Sequence, residues 1–175
     1  MTPLARRTIP ALLLAPCVAQ AQGDFPGTVT LDGRELRRQG EATARYLLFP
    51  IYRVALYLAA PSRDAEAILA SAEPRLIRCR YLRDLPLDQV TTAWEASFAT
   101  LCGCPLPAAF RAWLRPVRDG EEEAMAFRAR TAELTGPGRP AARIEDPVAA
   151  RTLLAAWIGP GAPNAALRRG LLGGT

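Results

Sequence analysis

A proline sits in the middle of the most strand-prone stretch of this chain. Residues 44–58 read Ala-Arg-Tyr-Leu-Leu-Phe-Pro-Ile-Tyr-Arg-Val-Ala-Leu-Tyr-Leu, dense in aromatic and branched side chains. Such a run wants to pair on both edges, but Pro50 has no N–H to give to a ladder. The stretch must therefore form two consecutive strands or one long kinked strand, with an edge or a bulge at Pro50.

The flanking segments point the same way. Residues 29–36 carry Asp32-Gly33 between two short β-prone pieces, a hairpin signature. Ser62, after Pro61, reads as the N-cap of a short helix over residues 63–72, with Asp64 and Glu66 suited to its positive end. Residues 75–82 alternate, with Leu76, Arg78, Arg80 and Leu82 on one side and Ile77, Cys79 and Tyr81 on the other. From Pro86 onward Leu87, Val90, Trp94, Phe98 and Leu101 form one apolar stripe, which predicts a long helix stopped by Cys102-Gly103-Cys104-Pro105. Phe110, Trp113 and Leu114 mark a second short helix. A solvated entry at Glu121, Glu122 and Glu123 leads into a strand running to about Thr135, and a short strand covers residues 141–144. Asp146-Pro147 opens a helix that ends near Trp157, with Gly159 as its C-cap. Strands, then helices, then strands again describe an α+β domain with helices on one face of a largely antiparallel sheet.

Composition limits the chemistry. Of 175 residues 50% are hydrophobic and 22% charged, which excludes a disordered chain. There is no histidine, and all 22 basic residues are arginine. A Ser-His-Asp triad, a His-ligated metal, a Schiff-base lysine and a Walker lysine are all unavailable. Neither a metal nor a cofactor is expected. The net charge of +5 is spread among acids, so no nucleic-acid footprint is expected either.

Residues 1–21 read as a cleavable signal peptide. Arg6 and Arg7 precede a short apolar core, and Ala19-Gln20-Ala21 is an A-x-A cleavage signal. Leu14-Ala15-Pro16-Cys17 loosely resembles a lipobox, but proline before the cysteine fits it poorly. The expectation is a mature domain over residues 22–175, periplasmic or secreted, with no transmembrane segment. Cleavage would leave Cys79, Cys102 and Cys104, an odd number. A bridge across one residue, from Cys102 to Cys104, would be strained; a bridge from Cys79 to either, or three unbridged thiols, are the other possibilities.

Several segments together resemble the bacterial chalcone isomerase-like proteins: residues 51–58 (Ile-Tyr-Arg-Val-Ala-Leu-Tyr-Leu), the turn at 60–64, Leu82-Arg83-Asp84 before the long helix, Ala156-Trp157-Ile158-Gly159, and Gly170-Leu171-Leu172-Gly173. The resemblance spans roughly residues 29–174. It implies an open-faced β-sandwich, one large antiparallel sheet under a layer of helices with a cleft between. Members of that family either cyclise a chalcone by intramolecular oxa-Michael addition or resemble fatty-acid-binding proteins. In both, an arginine near the start of the cleft strand faces the ligand. Arg45 is the nearest match, one place later than the plant-type Gly-x-Gly-x-Arg pattern would put it, and that pattern is reduced here to Gly40-Glu41-Ala42-Thr43-Ala44. Tyr52 stands where the isomerases carry a threonine.

Arg45 and Tyr52 are seven residues apart, so a bulge at Phe49-Pro50 is needed to bring both into the cleft. There they would hold an oxyanion, with Trp94 and Phe98 lining the roof. Two features speak against catalysis. Residues 83–90 lack the tyrosine of the isomerases, and the long helix lacks their asparagine; Asn164 is the one asparagine in the chain. The expected function is non-catalytic binding of a small apolar ligand with an acidic end, fatty-acid-like. The alternatives are an intramolecular lyase or isomerase acting on an enone, and a structural or partner-binding protein whose cleft is filled.

Overall fold

The computed structural model describes residues 25–160, 162 and 164–174. The signal-peptide segment and Cys17 lie outside these residues. Seven strands form one antiparallel sheet in simple sequence order: β1 (Thr28–Leu31), β2 (Arg34–Tyr46), β3 (Phe49–Leu58), β4 (Arg75–Tyr81), β5 (Glu122–Phe127), β6 (Ala132–Thr135) and β7 (Ala142–Ile144). Five helices complete the domain: α1 (Ala65–Ala70), α2 (Leu87–Cys102), α3 (Ala108–Trp113), α4 (Pro147–Ile158) and α5 (Ala165–Leu171). This is the expected α+β arrangement, a large antiparallel sheet with helices on one face.

The helix-covered face holds the main core. Val54, Leu56, Ile77, Cys79, Tyr81, Met125, Phe127 and Leu134 come up from the sheet, and Phe98, Phe110, Leu153, Trp157 and Leu171 come down from the helices. The opposite face carries a smaller core of Phe25, Leu36, Ala55, Tyr57, Leu76 and Ala126. Around Phe25 stand Arg53, Arg78 and Arg80, their guanidiniums 5.9, 5.9 and 5.3 Å from the ring centre. Glu41 accepts from Arg53 and Glu122 from Arg80. A charged strand face is thereby paired rather than left bare, and the two-sided reading of β4 holds.

The proline-interrupted stretch is a hairpin. The turn falls at Leu47-Leu48, Arg45 pairs with Pro50, and Ala44 pairs with Tyr52. Ile51 is the extra residue, so the expected irregularity is present one position beyond Pro50.

Other details depart from the sequence reading. β2 reaches back through the polar run at residues 37–43, where no strand was expected. The cap of α1 is Asp64, whose carboxylate accepts from the backbone of Glu66 and Ala67; Ser62 instead accepts from the Asp64 N–H. The strand expected to run to Thr135 is two strands, joined by a turn in which Arg128 N–H meets Thr131 O at 2.9 Å. The helix α5, capped by Asn164, was not foreseen. It packs on β2 because two glycines face each other there: a Cβ on Gly170 would lie 2.9 Å from Ala42 Cβ and from Glu41 O.

Candidate functional site: an aromatic layer between sheet and helices

Tyr52 points from β3 toward the helices because its register partner Ala44 and its neighbours Val54 and Leu56 occupy that face. Around it runs a chain of ring contacts. Tyr52 meets Tyr81 edge-on at 6.3 Å and Trp157 at 5.7 Å. Trp157 meets Trp94 at 5.8 Å, and Trp94 meets Phe110 at 5.0 Å. Phe110 in turn touches Phe98 and Trp113, both at 6.3 Å. In the four contacts that join Tyr81, Tyr52, Trp157, Trp94 and Phe110, edge-to-face geometry sets the positive rim of one ring on the negative face of the next, which adds to the burial of each. Three of the four expected site residues, Tyr52, Trp94 and Phe98, therefore lie in one layer.

Arg45 does not join them. The extra residue Ile51 lies on β3 past the Ala44–Tyr52 pair, so Arg45 follows Ala44 onto the other side of the strand. It is exposed, with its guanidinium 3.5 Å from Leu48 O. The expectation that a kink would carry Arg45 and Tyr52 into one pocket is corrected: the bulge exists but sits on the wrong strand to turn Arg45 inward.

A different arginine reaches the interior. Arg139, between β6 and β7, lies over the Trp113 ring with its guanidinium 3.3 Å from the centroid. It donates to Trp113 O at 2.9 Å and forms an ion pair with Glu123. Glu123 is 5% exposed and also accepts from the Tyr81 hydroxyl at 2.9 Å. The reading of Glu121, Glu122 and Glu123 as a solvated strand entry fails at Glu123. The β5 alternation places it on the face of Met125 and Phe127, and that alternation was the signal available in the sequence.

Electrostatics follow from this burial. Burial, then the nearby Cys79, holds the Tyr52 hydroxyl well above the ordinary tyrosine range. Tyr81 is raised too, by burial first, then by Cys79 and by Glu123. Cys79 is fully buried and raised well above the usual thiol value, mainly by burial. All three remain neutral in the range of ordinary buffers. Tyr52 and Tyr81 are thus hydrogen-bond donors rather than bases.

Cys79 is a free thiol, whereas Cys102 and Cys104 are joined in a disulfide across Gly103. Neither a Cys79 bridge nor three unbridged thiols describes the molecule. Gly103 makes the short bridge feasible by taking a left-handed conformation, φ 62°, at the end of α2.

Two polar atoms in the layer lack partners. The indole N–H groups of Trp113 and Trp157 are both buried and have no hydrogen-bond partner among the described residues. The Tyr52 ring packs edge-on against the second of these indoles, with 5.7 Å between ring centres. Two surface cavities, of about 260 and 510 Å³, lie elsewhere: one beside Arg63, Arg168 and Arg169, the other on the opposite sheet face near Arg78 and Glu122. Among the described residues no group of three or more Cys, Asp or Glu could hold a metal ion.

This architecture can be set beside known proteins. Residues 18–173 match the family described as chalcone isomerase-like. The chain belongs to the chalcone isomerase-like family. Within that frame, a solved structure with the same fold is the crystal structure of an Arabidopsis thaliana fatty-acid binding protein. It has a TM-score of 0.65 and 13% identity, and the match covers 85% of this chain and 90% of that one. No curated protein sequence matches this family member. The expected open-faced sandwich is thus the fold observed. No helix among the described residues is long and apolar enough to cross a membrane.

Proposed function

We propose that this protein is a non-catalytic, exported member of its family that holds a small, mostly apolar ligand between sheet and helices. The ligand's oxygen-bearing end, a fatty-acid carboxyl being the class we favour, sits at Tyr52 and Trp157. The observation that carries this reading is the buried, unpartnered Trp157 N–H, in a ring that packs edge-on against Tyr52. A buried donor without an acceptor costs roughly 1–3 kcal/mol, and a ligand oxygen accepting from the Trp157 N–H would remove that cost. The aromatic walls suit an alkyl chain or a flat ring. Family membership and a fatty-acid binding protein of the same fold support the ligand class. The export reading rests on residues 1–21, and N-terminal sequencing of the protein made in a Gram-negative host tests it: a start at Gln22 is expected, an intact Met1 overturns it.

Extraction of purified protein into organic solvent, followed by mass spectrometry, tests the ligand. Stoichiometric acyl or aromatic acid is expected from wild type, and at least tenfold less from Tyr52→Phe/Trp157→Phe. Equal recovery from both would remove the site.

The unbroken ring contacts along the layer favour a second reading, a cleft filled by the protein's own side chains. Under that reading no ligand is recovered, and the double variant is destabilised without any change in what is bound.

A further inference from the structure

The β2–β3 hairpin ends in a narrow finger. The last β3–β4 register pair is Tyr52 with Tyr81, and β1 pairs with β2 only as far as Arg37. Residues 45–50 therefore have no strand on either side. At about 3.3 Å per residue they reach roughly 10 Å beyond their neighbours. The tip is Tyr46, Leu47, Leu48 and Phe49, which are 70, 80, 86 and 62% exposed. These are four of the six large hydrophobic side chains that stand exposed among the described residues, and they are consecutive.

The tip breaks two rules at once. An apolar run at a hairpin turn is exposed to water without return, and such turns are normally Asn, Asp or Gly. Leu47 also holds a φ of 54°, the left-handed region that a leucine occupies only at a cost. Leu47→Gly/Leu48→Asn would satisfy both rules. A tip that violates solubility and turn chemistry together is serving an external contact.

We propose that this finger inserts into the interface of a lipid bilayer containing anionic lipid. The order of side chains fits that solvent. Two leucines at the apex enter the acyl boundary, while Tyr46 and Phe49 beside them lie at the depth where aromatic rings concentrate. Arg45 stands next in the chain, exposed and bonded only to Leu48 O, at the level of the lipid phosphates. Size argues against a protein partner. Four such side chains expose on the order of 600 Å², short of the roughly 800 Å² per partner of a stable protein interface, and the tip is convex. The finger does not depend on the ligand reading above.

Co-flotation with vesicles tests it, using phosphatidylcholine alone and phosphatidylcholine with one quarter phosphatidylglycerol. Wild type is expected to float with the anionic vesicles, and Arg45→Gln to float several-fold less. Leu47→Gly/Leu48→Asn is expected to bind at least tenfold less while melting no lower than wild type, since it suits the turn. That separates lost contact from lost fold. Absence of wild-type flotation with either vesicle, or undiminished flotation of the double variant, overturns the proposal. So does sedimentation showing that the tip instead pairs two copies of the chain.

Discussion

Gly40 of β2 and Gly170 of α5 meet backbone to backbone. A Cβ on Gly40 would fall within the Gly170 carbonyl oxygen and 2.6 Å from that of Leu171. Both neighbours are main chain, so nothing can rotate away. Gly40→Ala is therefore expected to lift α5 from the sheet and cost about 1–3 kcal/mol. Urea unfolding measures it, with Gly27→Ala as the control: a Cβ there meets nothing within 4 Å and should be near neutral.

The buried pair of Glu123 and Arg139 should tolerate joint replacement better than the loss of one member. Glu123→Ala leaves a guanidinium stranded over Trp113, and a loss of about 3–5 kcal/mol is expected. Tyr81→Phe removes one neutral donor from the same carboxylate and should cost about 1 kcal/mol. Glu123→Leu/Arg139→Met should be less destabilised than Glu123→Ala alone. If denaturant curves rank the double variant lowest, the pair stabilises through something other than mutual neutralisation.

Alkali should unfold this protein early. Tyr52, Tyr81 and Cys79 all hold their protons more tightly in the fold than their ordinary values near 10 and 9. Between the unfolded and folded pKa values the unfolded chain has released protons that the native state keeps. The stabilisation is fully present below about pH 9 and is lost as pH rises, by up to about 1.4 kcal/mol per pH unit for each group. Thermal melts from pH 8 to 11 should show the decline, and Tyr52→Phe should flatten it. Tyrosinate absorbance in the native state should omit Tyr52, Tyr57 and Tyr81 until the fold is lost.

The Cys102–Cys104 bridge closes so short a loop that it constrains the unfolded chain little. Cys102→Ser/Cys104→Ser is expected to cost under about 2 kcal/mol. Alkylation of the cleaved chain in denaturant should modify Cys79 alone without reductant and all three cysteines with it. Modification of all three without reductant would show that the bridge does not form.

The sheet was legible because alternation in residues 51–58 and 75–82 is a local pattern that burial then enforces. The reach of β2 was not. Arg37, Arg38, Gln39, Gly40 and Glu41 look like loop, and they form strand only because Glu41 finds Arg38 and Arg53 while Gly40 finds α5. Arg53 and α5 are distant in sequence. The site divided in the same way. Tyr52, Trp94 and Phe98 could be placed from strand and helix periodicity. Arg45 could not, since the face it takes depends on which strand carries the extra residue. Arg139 was overlooked within a Gly-Pro-Gly turn, where residue type gives no hint that the side chain will lie beneath a helix.

The strand order has a consequence for how the molecule assembles. Every ladder joins strands that are consecutive in the chain, although β3–β4 closes over α1 and β4–β5 closes over α2 and α3. Only the docking of α5 against β2 spans nearly the whole length, with Gln39 Nε2 reaching Leu172 O at 3.1 Å across 133 positions. That clasp ties the far end of the described chain to β2, and a chain stopped a dozen residues short would leave Gln39 and Gly40 without their partners.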